Sequence, residues 1–136
     1  MSLLIREAAP PDRAEVVELW RACGLTRPWN DAEADFDLAL GSPGSTILIA
    51  GAPVEGAVMA GFDGHRGWVY YLGVAPARRR GGLGRALMQA AETWLTARGA
   101  PKIQLMVRSD NPEVLAFHEA LGLSEQAVVV MGRRLG

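Results

Sequence analysis

Lysine is almost missing from this chain. Lys102 stands alone in 136 residues, so a phosphate loop of the Gly-Lys-Ser/Thr type has no lysine to use. Cysteine is equally scarce. Cys23 has no second cysteine to join, which excludes an intrachain disulfide and a cysteine-based zinc site. The only histidines, His65 and His118, lie far apart without metal-ligand spacing, and no metal is expected. No apolar run approaches the length of a membrane span. Excess charge of one sign is absent too. A formal net charge of −1 argues against a partner that is nucleic acid or an anionic membrane. The first dozen residues read as neither a secretion signal nor an amphipathic transit sequence, so a cytoplasmic location is expected. A length of 136 residues with 49% hydrophobic side chains suits a single folded domain over 1–136, long enough for a real core and short for two.

Punctuation and periodicity then give the element order. Residues 3–7 read as a short strand ended by Pro10-Pro11-Asp12, with Asp12 as N-cap of a helix carrying Val16, Leu19 and Trp20 on one face. A loop over 27–31 leads to a second helix with Phe36, Leu38 and Leu40 before Gly41. Strands over 46–50 and 54–62 form a hairpin through Gly51-Ala52-Pro53, and 68–74 (WVYYLGV) is the most strand-like run. A helix over about 82–97 presents Leu83, Leu87, Ala90, Trp94 and Leu95 as its stripe and stops at Gly99. A strand over 103–107, a helix opened by Asn111-Pro112 and closed by Gly122, and a strand over 126–131 complete the chain. The order β α α β β β α β α β predicts an α/β (α+β) three-layer domain with a mixed sheet.

The most informative stretch joins the strand over 68–74 to the following helix. Gly81, Gly82 and Gly84 remove side chains where a backbone must approach something closely. A helix start exposes unpaired N–H groups and a partial positive charge, and Arg78, Arg79, Arg80 and Arg85 add fork-shaped donors. The expected ligand carries phosphate, most simply a diphosphate. A dinucleotide fingerprint fails, because Leu87 fills its third small position and no acid follows at about twenty residues.

Read as Arg79-Arg80-Gly81-Gly82-Leu83-Gly84, the loop resembles the pyrophosphate loop of the GNAT superfamily of N-acetyltransferases. It follows Leu72-Gly73-Val74, and the superfamily's second signature recurs as Asn111 with Phe117-His118 and Gly122-Leu123. The segments 27–31 and 61–67 look like those of small stand-alone bacterial YpeA-type members. The resemblance covers essentially the whole chain. It implies a GNAT-like domain, with a mostly antiparallel sheet of six to seven strands flanked by about four helices, and acetyl-CoA as co-substrate. It assigns the pantetheine arm to the backbone of Leu72, Gly73 and Val74. The diphosphate falls to the turn of Arg79, Arg80, Gly81, Gly82, Leu83, Gly84 and Arg85. Asn111, Phe117 and His118 join the cofactor set, although Asn111 also reads as a helix N-cap.

Acetyl transfer to an amine needs a neutral nucleophile, a polarised thioester carbonyl and a proton for the departing sulfur. Where the family usually carries a tyrosine for the last task, this chain has His118, which is read either as the general acid or as a packed, hydrogen-bonded histidine. Counting back from Asn111 to the place where related enzymes carry a glutamate gives Met106, which cannot act as a base. Asp63, His65 and Tyr71 remain candidates on the acceptor side, with Glu55 behind them, although Asp63-Gly64-His65 also reads as a tight turn. Trp29 and Asn30 lie where family members commonly build the acceptor site. The acidic run over 31–37 reads as a solvated helix face that could attract a cationic amine. The expected partner is an amine on a small molecule or a peptide, the alternative function is a non-catalytic acyl-CoA-binding module, and monomer and homodimer both stay open.

Overall fold

The strand over 45–50 shows how the layers arise. Its sequence STILIA is apolar almost throughout, and Ile47 and Ile49 share one face while Leu48 and Ala50 share the other. All four are buried, so both faces must be covered. The computed structural model, which describes residues 4–136, supplies a helical layer on each side.

The sheet holds β1 (Ile5–Glu7), β2 (Ser45–Ala50), β3 (Gly56–Phe62), β4 (Gly67–Val74) and β5 (Ile103–Leu105) in that spatial order. The first four pair antiparallel, and β5 joins β4 in parallel. Against the Ile47 and Ile49 face lie α1 (Arg13–Ala22) and α2 (Ala32–Gly41). Val16, Val17, Leu19 and Trp20 of α1 meet Ala32, Phe36 and Ala39 of α2 there. Asp31 opens α2 by accepting from the Ala34 N–H at 3.0 Å, a cap worth about 1 kcal/mol. On the other face α3 (Leu83–Ala97) buries Leu83, Leu87, Met88, Ala91 and Leu95. It lies close because two strand positions have no side chain. A Cβ on Gly56 would stand 2.9 Å from Leu83 and Leu87, and one on Gly67 would stand 2.8 Å from Leu95.

Between β3 and β4 the register breaks. Met59 faces Tyr70 and Ala57 faces Gly73, so Tyr71 and Leu72 stand opposite Val58 alone. Tyr71 takes a left-handed backbone with φ +54°. On its other side β4 pairs with β5 only through Gly67, Trp68 and Val69, and then runs on to Val74 without that neighbour.

Residues 4–106 form one compact unit and Val107–Gly136 a second. Within the second, Asn111 caps α4 (Pro112–Ala120) by accepting from the Val114 N–H at 3.3 Å. Gly122, at φ +92°, ends it with paired bonds from Gly122 N–H to the Glu119 carbonyl and from Leu123 N–H to the His118 carbonyl. Among the described residues no helix is long and apolar enough to cross a membrane.

Several expectations change. The described residues contain five strands rather than six to seven. The run over 126–131 is irregular, with Val129 and Met131 exposed, because β-propensity alone makes no strand without a paired edge. The strand over 103–107 stops at Leu105. Leu3, placed in the first strand, lies outside the described residues. Asp12 does not cap α1 with its side chain. It accepts from the Ala9 N–H at 2.8 Å across a short 3-10 turn and pairs with Arg6 at 3.0 Å. Leu38 is exposed, and the buried stripe of α3 runs through Ala91 rather than Ala90, leaving Trp94 half-buried under the Arg98 guanidinium.

Gly56→Val is expected to lower unfolding free energy by about 1–3 kcal/mol in urea titrations, because the added carbons push α3 off β3. Gly41→Ala, where a Cβ meets nothing within 4 Å, is expected to leave stability unchanged or raise it by up to about 1 kcal/mol.

Candidate functional site

The site begins where β4 ends. After Val74 the chain turns through Pro76–Arg78 and enters α3 from Gly82. Arg80 at φ +66° and Gly82 at φ +85° both adopt left-handed backbone. Glycine does so freely, whereas arginine costs roughly 1 kcal/mol. The first helical bond runs from the Ala86 N–H to the Gly82 carbonyl at 3.0 Å. Among the described residues no acceptor takes the N–H groups of 80–85, so the turn and the first turn of α3 offer a set of unpaired donors. This is the geometry of an anion cradle at a helix start.

The four arginines divide their work. Arg78 is held by Glu55, Nε to Oε2 at 2.9 Å, while the Glu55 carbonyl accepts from the Ala75 N–H at 2.7 Å. Glu55, a candidate base from sequence, therefore braces the loop. Arg79 donates from Nε to the Val74 carbonyl at 3.2 Å, and the Cys23 thiol donates to that same oxygen at 3.4 Å. Arg80 and Arg85 form no ion pair among the described residues.

Leu72, Gly73 and Val74, the expected pantetheine strand, lie on the part of β4 that β5 does not reach. Gly73 is buried, and a Cβ there would stand 3.2 Å from Cys23 and Leu25. Tyr71 is joined to this edge through the bulge. Its ring stacks on Trp20 at 4.0 Å and its hydroxyl donates to Asp35 Oδ2 at 2.7 Å. Burial, with the Asp35 carboxylate beside it, pushes the Tyr71 phenol far up. A phenol held that firmly in its protonated form is a poor base.

Asp63 and His65 sit elsewhere. They occupy the β3–β4 turn, at the opposite end of β4 from Leu72, which at about 3.3 Å per residue puts them more than about 15 Å away. The Asp63 carboxylate accepts from the Arg66 and His65 N–H groups at 2.7 and 2.8 Å, which hold it below the usual carboxylate range. The turn reading of Asp63-Gly64-His65 is what the structure displays. Trp29 is exposed, and Asn30 lines an open depression of about 480 Å³ with Arg21, Thr26, Arg27 and Asp31. Met106 follows β5 directly and is half-exposed.

In the second unit His118 is buried with Phe117 packed edge-on at 5.0 Å. Among the described residues its Nδ1 has no hydrogen-bond partner, and burial pushes the imidazole below its ordinary 6.5. Asn111 is used as a cap through its carbonyl oxygen.

Sequence reasoning missed Asp35. The alternating acids over 31–37 suggest a solvated face, yet Asp35 lies three residues after Ala32 and four before Ala39, both buried, a phase present in the sequence. Glu33 and Asp37 do face solvent, paired with Arg21 and Arg13.

The profile of the acetyltransferase (GNAT) family matches residues 13–123. An acetyltransferase of Sodalis glossinidius (strain morsitans) is 45% identical over 134 residues, 96% of this chain and 94% of that protein. Among solved structures, AAC(6')-Iy in complex with the bisubstrate analogue CoA-S-monomethyl-acetylneamine aligns with TM-score 0.84 at 20% identity, covering 100% of both chains. Glucosamine-6-phosphate N-acetyltransferase from Arabidopsis thaliana aligns with TM-score 0.76 at 15% identity, covering 98% of this chain and 99% of that one. At such identities the likeness is one of fold, a mixed sheet between helical layers.

The buried His118 gives a pH prediction. An unfolded histidine takes its proton near 6.5, whereas the buried one takes it only at lower pH. Between those values unfolding binds a proton, so stability falls as pH falls. Urea midpoints are expected to drop between pH 7.5 and 5.5, and His118→Phe to flatten that drop.

Proposed function

The chain belongs to the GNAT family of acetyltransferases, and from that premise we propose that it moves an acetyl group from acetyl-CoA to a primary amine of a small molecule or a protein N-terminus. The observation that carries this reading is the run of unpaired N–H groups over 80–85 beside Leu72, Gly73 and Val74, which β5 does not reach. One feature suits a diphosphate and the other an amide-bearing arm. Acetyl-CoA supplies the thioester to be cleaved. The overall change is R–NH3⁺ plus acetyl-S-CoA giving R–NH–acetyl, free thiol and one proton.

Gly81, Gly82, Leu83, Gly84 and Arg85 offer main-chain donors, with Arg79, Arg80 and Arg85 adding charge. The amide edge at Leu72–Val74 pairs with the arm and orients it. For His118 the family's second signature supplies the role of delivering a proton to the coenzyme sulfur, and burial supplies the constraint. The imidazole is neutral near pH 7, so it passes a proton to the sulfur by taking one from the attacking amine. Asn111 and Phe117 keep their expected place in the cofactor set. The family match runs through both compact units, which supports one catalytic domain over 1–136. Solved structures of the same fold bear names tied to aminoglycosides and glucosamine 6-phosphate, which favours small amines among the acceptors.

Coenzyme A is expected to raise the melting temperature in a dose-dependent way, and acetyl-CoA to release thiol when amines are added. Binding without thiol release across amines and peptide N-termini would leave only an acyl-CoA-binding module. His118→Phe is expected to lower kcat at least tenfold while leaving the Kd for acetyl-CoA within about threefold; unchanged turnover would remove its role.

A further inference from the structure

Four acids open α2, and the structure gives each a different fate. Asp31 caps the helix, Glu33 pairs with Arg21, and Asp37 pairs with Arg13. Asp35 is the exception. It is half-buried, and among the described residues no arginine or lysine reaches it. Its one recorded partner is the neutral Tyr71 hydroxyl, at 2.7 Å. A half-buried carboxylate whose side-chain partner is a neutral donor has no cation beside it among these residues.

Its position gives that charge a use. Tyr71 belongs to the bulge of β4 and directly precedes Leu72, Gly73 and Val74. The backbone there is left-handed, at roughly 1 kcal/mol for a tyrosine, and the Trp20 stack and the Asp35 hydrogen bond hold it. Tyr71 packs against the α1 and α2 side of the sheet, so its hydroxyl ties the carboxylate of Asp35 on α2 to this stretch of β4.

We propose that the Asp35 carboxylate, held by the Tyr71 hydroxyl at the β4 bulge, is the anion that receives the acceptor, and that the acceptor is a cationic amine with no anion of its own close by. Polyamines and amino sugars meet that description; amino acids and amino-sugar phosphates do not. The inference rests on the acetyl-transfer reading and adds the substrate class. Asp35 attracts and orients the ammonium. The proton released in the reaction passes to solvent once the amine stands beside this stretch of β4.

Two substitutions separate this role from simple support of Tyr71. Asp35→Asn keeps an oxygen for the Tyr71 hydroxyl and removes the charge. Tyr71→Phe removes the hydroxyl and keeps the charge. With the full chain, saturating acetyl-CoA, and 1,4-diaminobutane and neamine as probes, Asp35→Asn is expected to raise the amine KM at least tenfold, the scale of a charge-assisted contact. Tyr71→Phe is expected to raise it only two- to threefold, and the KM for acetyl-CoA to stay put in both. Glucosamine 6-phosphate is expected to be the poorer acceptor, and Asp35→Asn to narrow its deficit. Equal effects of the two substitutions, an unchanged amine KM in Asp35→Asn, or a preference for glucosamine 6-phosphate would overturn the proposal. Should no amine release thiol, the transfer reading fails and calorimetry with neamine and coenzyme A decides this inference. Weaker binding by Asp35→Asn upholds it, whereas equal affinity or no binding to the wild type overturns it.

Discussion

A parallel ladder that stops early governs this structure. β4 and β5 share three register pairs, and beyond Val69 the longer strand keeps five residues that β5 does not reach. Main-chain groups that lose their strand neighbour need another partner, and the Val74 carbonyl finds two, Arg79 and Cys23. The bulge at Tyr71 and Leu72 falls in the same span, so the break in pairing and the change in backbone direction coincide. In most sheets an open edge invites aggregation. Here the stretch that β5 does not reach lies inside the sheet order, next to a turn that offers unpaired N–H groups.

The loop that follows depends on that strand end. Arg79 and Cys23 both donate to the Val74 carbonyl, and Arg78 is tied to Glu55 just before β3. The half-exposed Arg78–Glu55 pair contributes about 0.2–1 kcal/mol to stability, and a hydrogen bond about 0.5–1.5 kcal/mol. Their effect is on geometry: they hold the start of α3 to the end of β4. Gly56 serves the same end from below, since its missing side chain lets Leu83 and Leu87 sit against the strand.

Much of this was legible in the sequence. The glycines at 81, 82 and 84, the Pro76 stop and the stripe from Leu83 to Leu95 placed the loop and its helix nearly to the residue. Asn111-Pro112 and Gly122 bounded α4 because caps and left-handed glycines are local signals that need no tertiary context. What failed was non-local. The strand-like run over 126–131 has strong propensity and no partner among the described residues, and a strand exists only by pairing. Asp63 and Tyr71 stand close in sequence, yet β4 separates the Asp63 turn from the bulge. Asp35 was hidden for a different reason. A run of alternating acids looks solvated until the phase of Ala32, Phe36 and Ala39 is traced through it, and its partner lies 36 positions away on another element.

The central claim is that the left-handed turn at Arg80 and Gly82 receives the diphosphate of coenzyme A through main-chain N–H groups. Amide spectra of nitrogen-labelled protein, titrated with coenzyme A and separately with pantetheine, test it directly. Coenzyme A is predicted to shift the amides of Gly81, Gly82, Leu83, Gly84 and Arg85, and pantetheine, which lacks the diphosphate, to leave them in place. Equal shifts with both ligands, or still amides at these positions with coenzyme A bound, would contradict the account.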